Sequence, residues 1–269
     1  MKDTILTIIV FTHNEERNIK SCLTSARLLS ENIIVIDSES SDKTIEIVKK
    51  EKISYFSFPY SSYVEPAREF GINKAKTDWV FILDADERIT TDLVEEIKNK
   101  LKGKIDFSHF KVPRKNIFNL LPDKPLDVSQ IKGKWLKYGG WWPDYQIRLI
   151  NKKYFKKWPP QIHSTPLIEG KFDLLDNPLL HLFHGDFEQM VNKTIVFENI
   201  EAELLYQANK KTGLLTFFRK FFGEIFRRLI KHLGFLDGEI GIIEAIYQAF
   251  SKTITYLYLY EKKIKSRSL

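Results

Sequence analysis

One cysteine, Cys22, is all that the 269 residues contain. No disulfide can close within the chain, so a reducing compartment is the expected setting. No stretch of 18 or more residues is free of charge, which argues against a membrane-spanning helix. The opening apolar run, Ile5-Leu-Thr-Ile-Ile-Val-Phe11, is too short for a signal peptide and has no small-residue cleavage site behind it. It reads as a first strand. Internal repeats and low-complexity linkers are also missing. Hydrophobic residues make up 43% of the chain and charged residues 29%, a balance that excludes disorder and allows a real core.

Acidic charge is scarce in one place. Residues 211–269 hold eleven Lys and Arg against five Asp and Glu, so nearly all of the net +7 lies there. Such a segment expects an anionic partner. Within it Phe217, Phe218, Phe221, Phe222, Ile225, Phe226, Leu229, Ile230 and Leu233 fall at helical spacing, with Arg219, Lys220, Arg227, Arg228 and Lys231 on or beside the other face. That pattern suits either the plane of an anionic membrane surface or a helix docked on the main body. The phenylalanine stripe favours lipid over nucleic acid as the partner.

Residues 1–100 alternate strand and helix. Strands are expected at 4–11, 32–36, 54–58 and 79–83, and helices at 15–29, 44–50, 65–75 and 91–101, with Asn14 as a cap for the first helix. Alternation of this kind implies βαβ units and a mostly parallel sheet. From 103 to 180 the chain turns to shorter strands, prolines and four of the five tryptophans, and 186–210 predicts a long helix. The expected organisation is one α/β domain over 1–210, with a nucleotide-binding half at 1–102 and an acceptor half at 103–210, followed by a helical tail at 211–269.

Three strand ends carry the chemistry: Thr12-His13-Asn14-Glu15, Asp37-Ser-Glu-Ser-Ser-Asp42 and Asp84-Ala-Asp86-Glu87. Ligands of open α/β sheets bind at the carboxyl ends of the strands. An acid after the second strand suits a ribose hydroxyl or a base imide, while Asp42 serves equally as a helix cap. The five apolar residues of Trp79-Val-Phe-Ile-Leu83 run straight into Asp84-Ala-Asp86. Paired carboxylates at the end of a central strand suit Mg²⁺ or Mn²⁺ carrying a diphosphate.

In order and spacing, Ile8-Ile-Val-Phe-Thr-His-Asn-Glu-Glu-Arg-Asn-Ile19, Val35-Ile-Asp-Ser-Glu-Ser-Ser-Asp-Lys-Thr44 and Trp79-Val-Phe-Ile-Leu-Asp-Ala-Asp-Glu-Arg-Ile89 together resemble family 2 glycosyltransferases of the GT-A fold. The similarity is greatest to bacterial enzymes that add glucose-like sugars to lipopolysaccharide core. The resemblance implies a UDP-sugar site lined by Thr12, Asn14 and Glu15, with Asp37 on the uracil or ribose and Asp84 near the ribose. Asp86 would bind the metal. Arg68, in Pro66-Ala-Arg-Glu-Phe-Gly-Ile72, stands where the family has an arginine near the nucleotide; Glu69 departs from a frequent Asn. His181 in Pro178-Leu-Leu-His-Leu-Phe-His184 matches a histidine that could complete the metal or diphosphate site, or serves as a core residue. Lys193 matches a lysine that could meet phosphate, or is simply solvated.

In Gly139-Gly-Trp-Trp-Pro-Asp-Tyr-Gln-Ile-Arg-Leu-Ile150 the resemblance makes Asp144 the general base, with Trp141, Trp142 and Tyr145 as a stacking floor for an acceptor sugar. The same aromatics could be core, with Asp144 capping a turn. Gln161-Ile-His163-Ser164 carries Ser where the family has Glu, so no carboxylate comes from there. The implied activity is an inverting, metal-dependent transfer of a hexose from a UDP-sugar to a lipid-linked or lipopolysaccharide-core saccharide, at the cytoplasmic face of the membrane. A protein or polysaccharide acceptor and an inactive membrane-bound scaffold are the alternatives. Phosphatases with Asp-x-Asp place the motif near the N-terminus, and nucleotidyltransferases carry a Gly-rich basic loop where this chain has acidic Thr12-His-Asn-Glu-Glu16.

Overall fold

The computed structural model describes residues 6–103, 105–118, 133–183 and 187–266, which divide into two compact units. The first comprises residues up to Lys115 together with Pro143–Phe183. The second comprises the segment from Asn116 to Phe118, Gly133–Trp142 and the chain from 187 onward.

In the first unit, strands β1 (Leu6–Thr12), β2 (Ile33–Asp37), β3 (Ser54–Ser57) and β4 (Trp79–Asp84) alternate with helices α1 (Ile19–Arg27), α2 (Thr44–Lys50) and α3 (Glu65–Lys74). β1 lies between β2 and β4, all parallel, with β3 outside β2. Every residue of β1 is buried, because both faces of the sheet are covered. Ile8, Val10, Phe81 and Leu83 point to one side, where α1 and α4 (Thr91–Lys100) supply Cys22, Leu23, Leu93 and Ile97. Ile9, Phe11, Val80 and Ile82 point to the other, against Ala67 and Ile72 of α3. Gly71 lets α3 come close: a Cβ there would stand 2.7 Å from the Phe11 ring.

Beyond β4 the sheet turns antiparallel. β8 (Asp144–Asn151) pairs with β4 and with β6 (His109–Phe118), and β12 (Leu179–Phe183) lies between β6 and the two-residue β5 (Glu87–Arg88). β5 follows β4 after only Ala85 and Asp86, yet it sits four places away in strand order. The sheet therefore curls back on itself around the end of β4. β11 (Phe172–Leu174) adds to β6, and β9 (Phe155–Lys157) with β10 (Leu167–Ile168) forms a separate ribbon.

The second unit is largely helical. α5 (Phe187–Gln207), α6 (Leu214–Ile225) and α7 (Glu239–Lys265) pack around Ala202, Tyr256 and Leu259, with Phe217 against them. α6 continues as a π-helical turn, Phe226–Lys231. β7 (Lys134–Trp135) pairs with the last residues of β6. No helix among the described residues is long and apolar enough to cross a membrane.

One expectation needs correction. Asn14 does not cap a helix beginning at 15; α1 starts at Ile19, and Asn14 has a left-handed backbone with φ 53°. Its short amide tolerates that conformation, and the loop it shapes is fastened elsewhere, as described next.

Candidate active site

The ends of β1, β2 and β4 lie side by side, with Thr12 in register with Asp37 and Phe11 with Asp84. Both Thr12 and Asp37 are buried. The Asp37 carboxylate accepts from the Ser40 hydroxyl at 2.6 Å and the Ser40 amide at 3.1 Å, and the Thr12 hydroxyl is a buried group with no hydrogen-bond partner among the described residues. A buried orphan hydroxyl is costly, so its position beside Asp37 marks this rim as a place where a polar ligand would complete the bonding. Asn14 and Glu15 fasten the two loops together. The Asn14 carboxamide oxygen accepts from the Ser41 amide at 2.7 Å, and the Glu15 amide donates to the Thr44 hydroxyl at 2.8 Å. Asp42 accepts from the amides of Glu16 and Thr44, so it serves both as a clamp and as the acid at the start of α2. Sequence reading gave no separate role to His13, whose Nδ1 lies 2.6 Å from the Ser38 carbonyl and whose ring is 4.3 Å from that of the exposed Tyr60.

Arg68 projects from α3 between the rings of Phe11 and Trp158, 4.6 and 5.6 Å from their centres, and its Nη2 donates to Asp84. Asp84 receives Arg148 as well, at 2.8 Å. Burial pushes the Asp84 carboxyl up, but Arg68 and then Arg148 outweigh it and hold the group below the ordinary aspartate value. The reverse holds for Arg68, where burial prevails and lowers its value against the pull of Asp84. Glu69 accepts from the Trp158 amide at 2.9 Å, anchoring the segment that carries the ring over Arg68.

Asp86 stands in the two-residue turn between β4 and β5. Register on β12 sets His181 opposite Glu87, and its Nε2 comes to 3.5 Å from the Asp86 carboxylate. A hard carboxylate oxygen and an imidazole nitrogen on partly exposed side chains are a fitting donor pair for a divalent cation. Among the described residues no group of three His, Cys, Asp or Glu side chains gathers to hold a metal, so the other positions would fall to ligand oxygens or water.

Asp144 opens β8, opposite Arg114 of β6. Its Oδ2 accepts from Arg114 Nε at 2.9 Å and Nη2 at 2.7 Å, and Oδ1 accepts from Gln146 at 2.7 Å. Tyr145 follows it on the strand. Trp141 and Trp142 belong to the second unit: Arg228 lies over the Trp141 ring at 5.1 Å, and Trp142 meets Trp135 edge-on at 5.4 Å. Gly139 and Gly140, both at positive φ, turn that loop, and the Gly139 amide donates to the His232 carbonyl at 2.8 Å. Ser164 donates to the Pro159 carbonyl, and Lys193 is exposed on α5.

Sequence reading gave no role of their own to four charged residues here. Arg88, wholly buried, donates to the carbonyls of Ala85 and Glu87 and to Asn18, stapling the turn that carries Asp86. Glu87, Arg148 and Arg114 link Asp84 to Asp144. The signal was an arginine inside each of two strand-like segments, Gln146-Ile-Arg-Leu-Ile150 and Lys111-Val-Pro-Arg114.

The profile of the family described as Glycosyl transferase family 2 matches residues 7–169. An uncharacterized glycosyltransferase of Rickettsia typhi is 26% identical over 281 residues, covering 98% of this chain and 89% of that protein. Another, of Haemophilus influenzae, is 32% identical over 108 residues, covering 37% and 43%. The crystal structure of S. aureus TarS 1–349 superposes with a TM-score of 0.48 at 14% identity, covering 97% of this chain and 91% of that one. With its α/β core curled around the end of β4 and a family match over more than half of its length, this chain belongs to the family 2 glycosyltransferases.

Proposed function

We propose that the protein is an inverting, metal-dependent hexosyltransferase that moves a glucose-like sugar from a UDP-sugar to a lipid-linked saccharide, of the lipopolysaccharide-core kind, at an anionic membrane surface. The observation that carries this reading is the Asp86–His181 pair at the end of β4, 3.5 Å apart, beside the rim of Thr12 and Asp37. Thr12, Asn14, Glu15 and Asp37 would line the nucleoside, with Arg68 and Asp84 between it and the diphosphate. Asp86 and His181 would hold Mg²⁺ or Mn²⁺, which supplies Lewis-acid stabilisation of the charge developing on the leaving diphosphate.

Transfer with inversion needs one base. The acceptor oxygen attacks the anomeric carbon as the bond from that carbon to the diphosphate breaks. The hydroxyl proton passes to Asp144, and UDP departs with the electron pair. Tyr145, next to Asp144 on β8, would offer a ring face to the acceptor sugar. The basic charge of residues 211–269 and the exposed phenylalanines of α6 support the membrane part of the reading.

Release of UDP from UDP-sugars, measured with Mn²⁺ and again with excess chelator, tests the metal role. Turnover is expected to vanish with chelator, and chelator-insensitive turnover overturns it. Asp144→Asn is expected to lose transfer by at least about 100-fold while binding UDP as before. Normal transfer by that variant would move the base elsewhere.

A further inference from the structure

Six side chains of alternating charge run in a row through the first unit. Arg68 meets Asp84 at 2.7 Å, Asp84 meets Arg148 at 2.8 Å, and Arg148 meets Glu87 at 2.5 Å. Glu87 then meets Arg114 at 3.6 Å, and Arg114 meets Asp144 at 2.7 Å. They come from α3, β4, β8, β5, β6 and β8. The middle is dry: Glu87 is 0% and Arg148 5% exposed, whereas Arg114 and Asp144 at the far end reach 20% and 24%. Three positive and three negative groups cancel. A row of this kind is an expensive way to join strands, since apolar side chains of similar size would hold them at least as well. Its distinguishing property is direction. Arg148 and Arg114 are each held by a carboxylate on either side, so the geometry at the buried Glu87 is passed to the partly exposed Asp144.

Arg114 is the last link. Its planar fork places both Nε and Nη2 on a single oxygen of Asp144, while Nη1 faces Glu87. A lysine could supply the charge there but not the paired donors. We propose that Arg114 is a positioning residue for Asp144: anchored on Glu87, it fixes the rotamer and plane of the carboxylate that takes the acceptor's proton. The inference rests on the reading of Asp144 as the base. Its consequence is that Arg114 acts on turnover through Asp144 and not on the binding of the nucleotide sugar.

The test measures UDP release from UDP-glucose with Mn²⁺ and an alkyl glucoside acceptor for Arg114→Gln, Arg114→Lys, Asp144→Asn and the Arg114→Gln/Asp144→Asn double variant. A misplaced catalytic group costs on the order of 100-fold. Arg114→Gln is therefore expected to lower kcat by about that factor, leaving the KM for UDP-glucose within about twofold of the wild type. Arg114→Lys should recover only a small part of the loss. The double variant should be no slower than Asp144→Asn alone, because residues acting as one unit do not add. A merely structural Arg114 would give losses that multiply, or a KM that rises in step, and either result overturns the inference. Wild-type kcat in Arg114→Gln beside an inactive Asp144→Asn overturns it while the base reading stands. Full activity of Asp144→Asn removes both. If Arg114→Gln does not fold, Arg114→Lys, which keeps the cation beside Glu87, carries the same comparison with its own double variant.

Discussion

Arg148 shows how much a single buried side chain can hold. Its side chain is 5% exposed and touches two carboxylates, Asp84 on β4 and Glu87 on β5. Burial works against its charge, yet Glu87 and Asp84 outweigh burial and raise its value above the ordinary one. Removing one partner from such a cluster leaves the others charged in a dry setting, which costs about 3–5 kcal/mol. Arg148→Met is expected to lose stability in that range, read as a lowered urea midpoint at constant m-value. A loss below about 1 kcal/mol would show that water reaches Glu87 once the guanidinium is gone. Acid should weaken the same cluster. Asp84 sits below its ordinary 3.8, so the stability it contributes is complete above that value and is lost as pH falls further.

Among the secondary-structure elements, what could be read from sequence divides by range. The run Trp79-Val-Phe-Ile-Leu83 announced β4 because a strand covered on both faces shows its whole length as apolar. The acids after β1, β2 and β4 were legible for the same reason: they interrupt such runs. β5 was not, since two residues carry no period and its partner Leu180–His181 lies more than ninety positions away. Arg114 and Arg148 went unread because a charged residue in a strand pattern ordinarily faces water. In α6 the period was right and one apolar face proved to be two. Phe217 packs toward Ala202 and Tyr260, while Phe218, Phe222 and Phe226 remain exposed. α7 contains a group no pattern announces, Glu244. Burial pushes its carboxyl up to about 7, with Gln248 and Arg228 pulling it partway back. The folded chain thus keeps a proton that the unfolded chain releases near 4.5. The stability it contributes is complete below about 4.5 and falls as pH rises toward 7, by at most about 3 kcal/mol. In Glu244→Gln that part of the pH dependence should vanish, leaving the variant more stable than the wild type at pH 8 but not at pH 4.5. Parallel urea midpoints for the two proteins across that range would refute the assignment.

At the scale of the whole molecule, charge and apolar surface coincide. Residues 211–269 carry the excess of Lys and Arg, and there Phe218, Phe222, Phe226 and Ile230 are 54%, 59%, 60% and 55% exposed along one helical stripe, with Arg219 and Lys231 also exposed. Each phenylalanine buried among acyl chains gains up to about 1.5–3 kcal/mol, and each basic residue near an anionic surface about 1 kcal/mol. Deleting the segment would be a poor test, because α6 and α7 share a core with α5. Substitution on the exposed stripe leaves that core intact. Phe218→Ser/Phe222→Ser/Phe226→Ser is expected to reduce co-sedimentation with phosphatidylserine-containing vesicles by on the order of 100-fold, at an unchanged melting temperature. Arg219→Gln/Lys231→Gln should weaken binding to the same vesicles and leave the weak binding to pure phosphatidylcholine unaltered, with high salt reproducing its effect on the wild type. If the stripe instead joins two copies of the chain, the triple phenylalanine variant will change the sedimentation coefficient in solution and sediment with vesicles as the wild type does. That outcome would remove the membrane from the functional reading while leaving the proposed transferase site untouched.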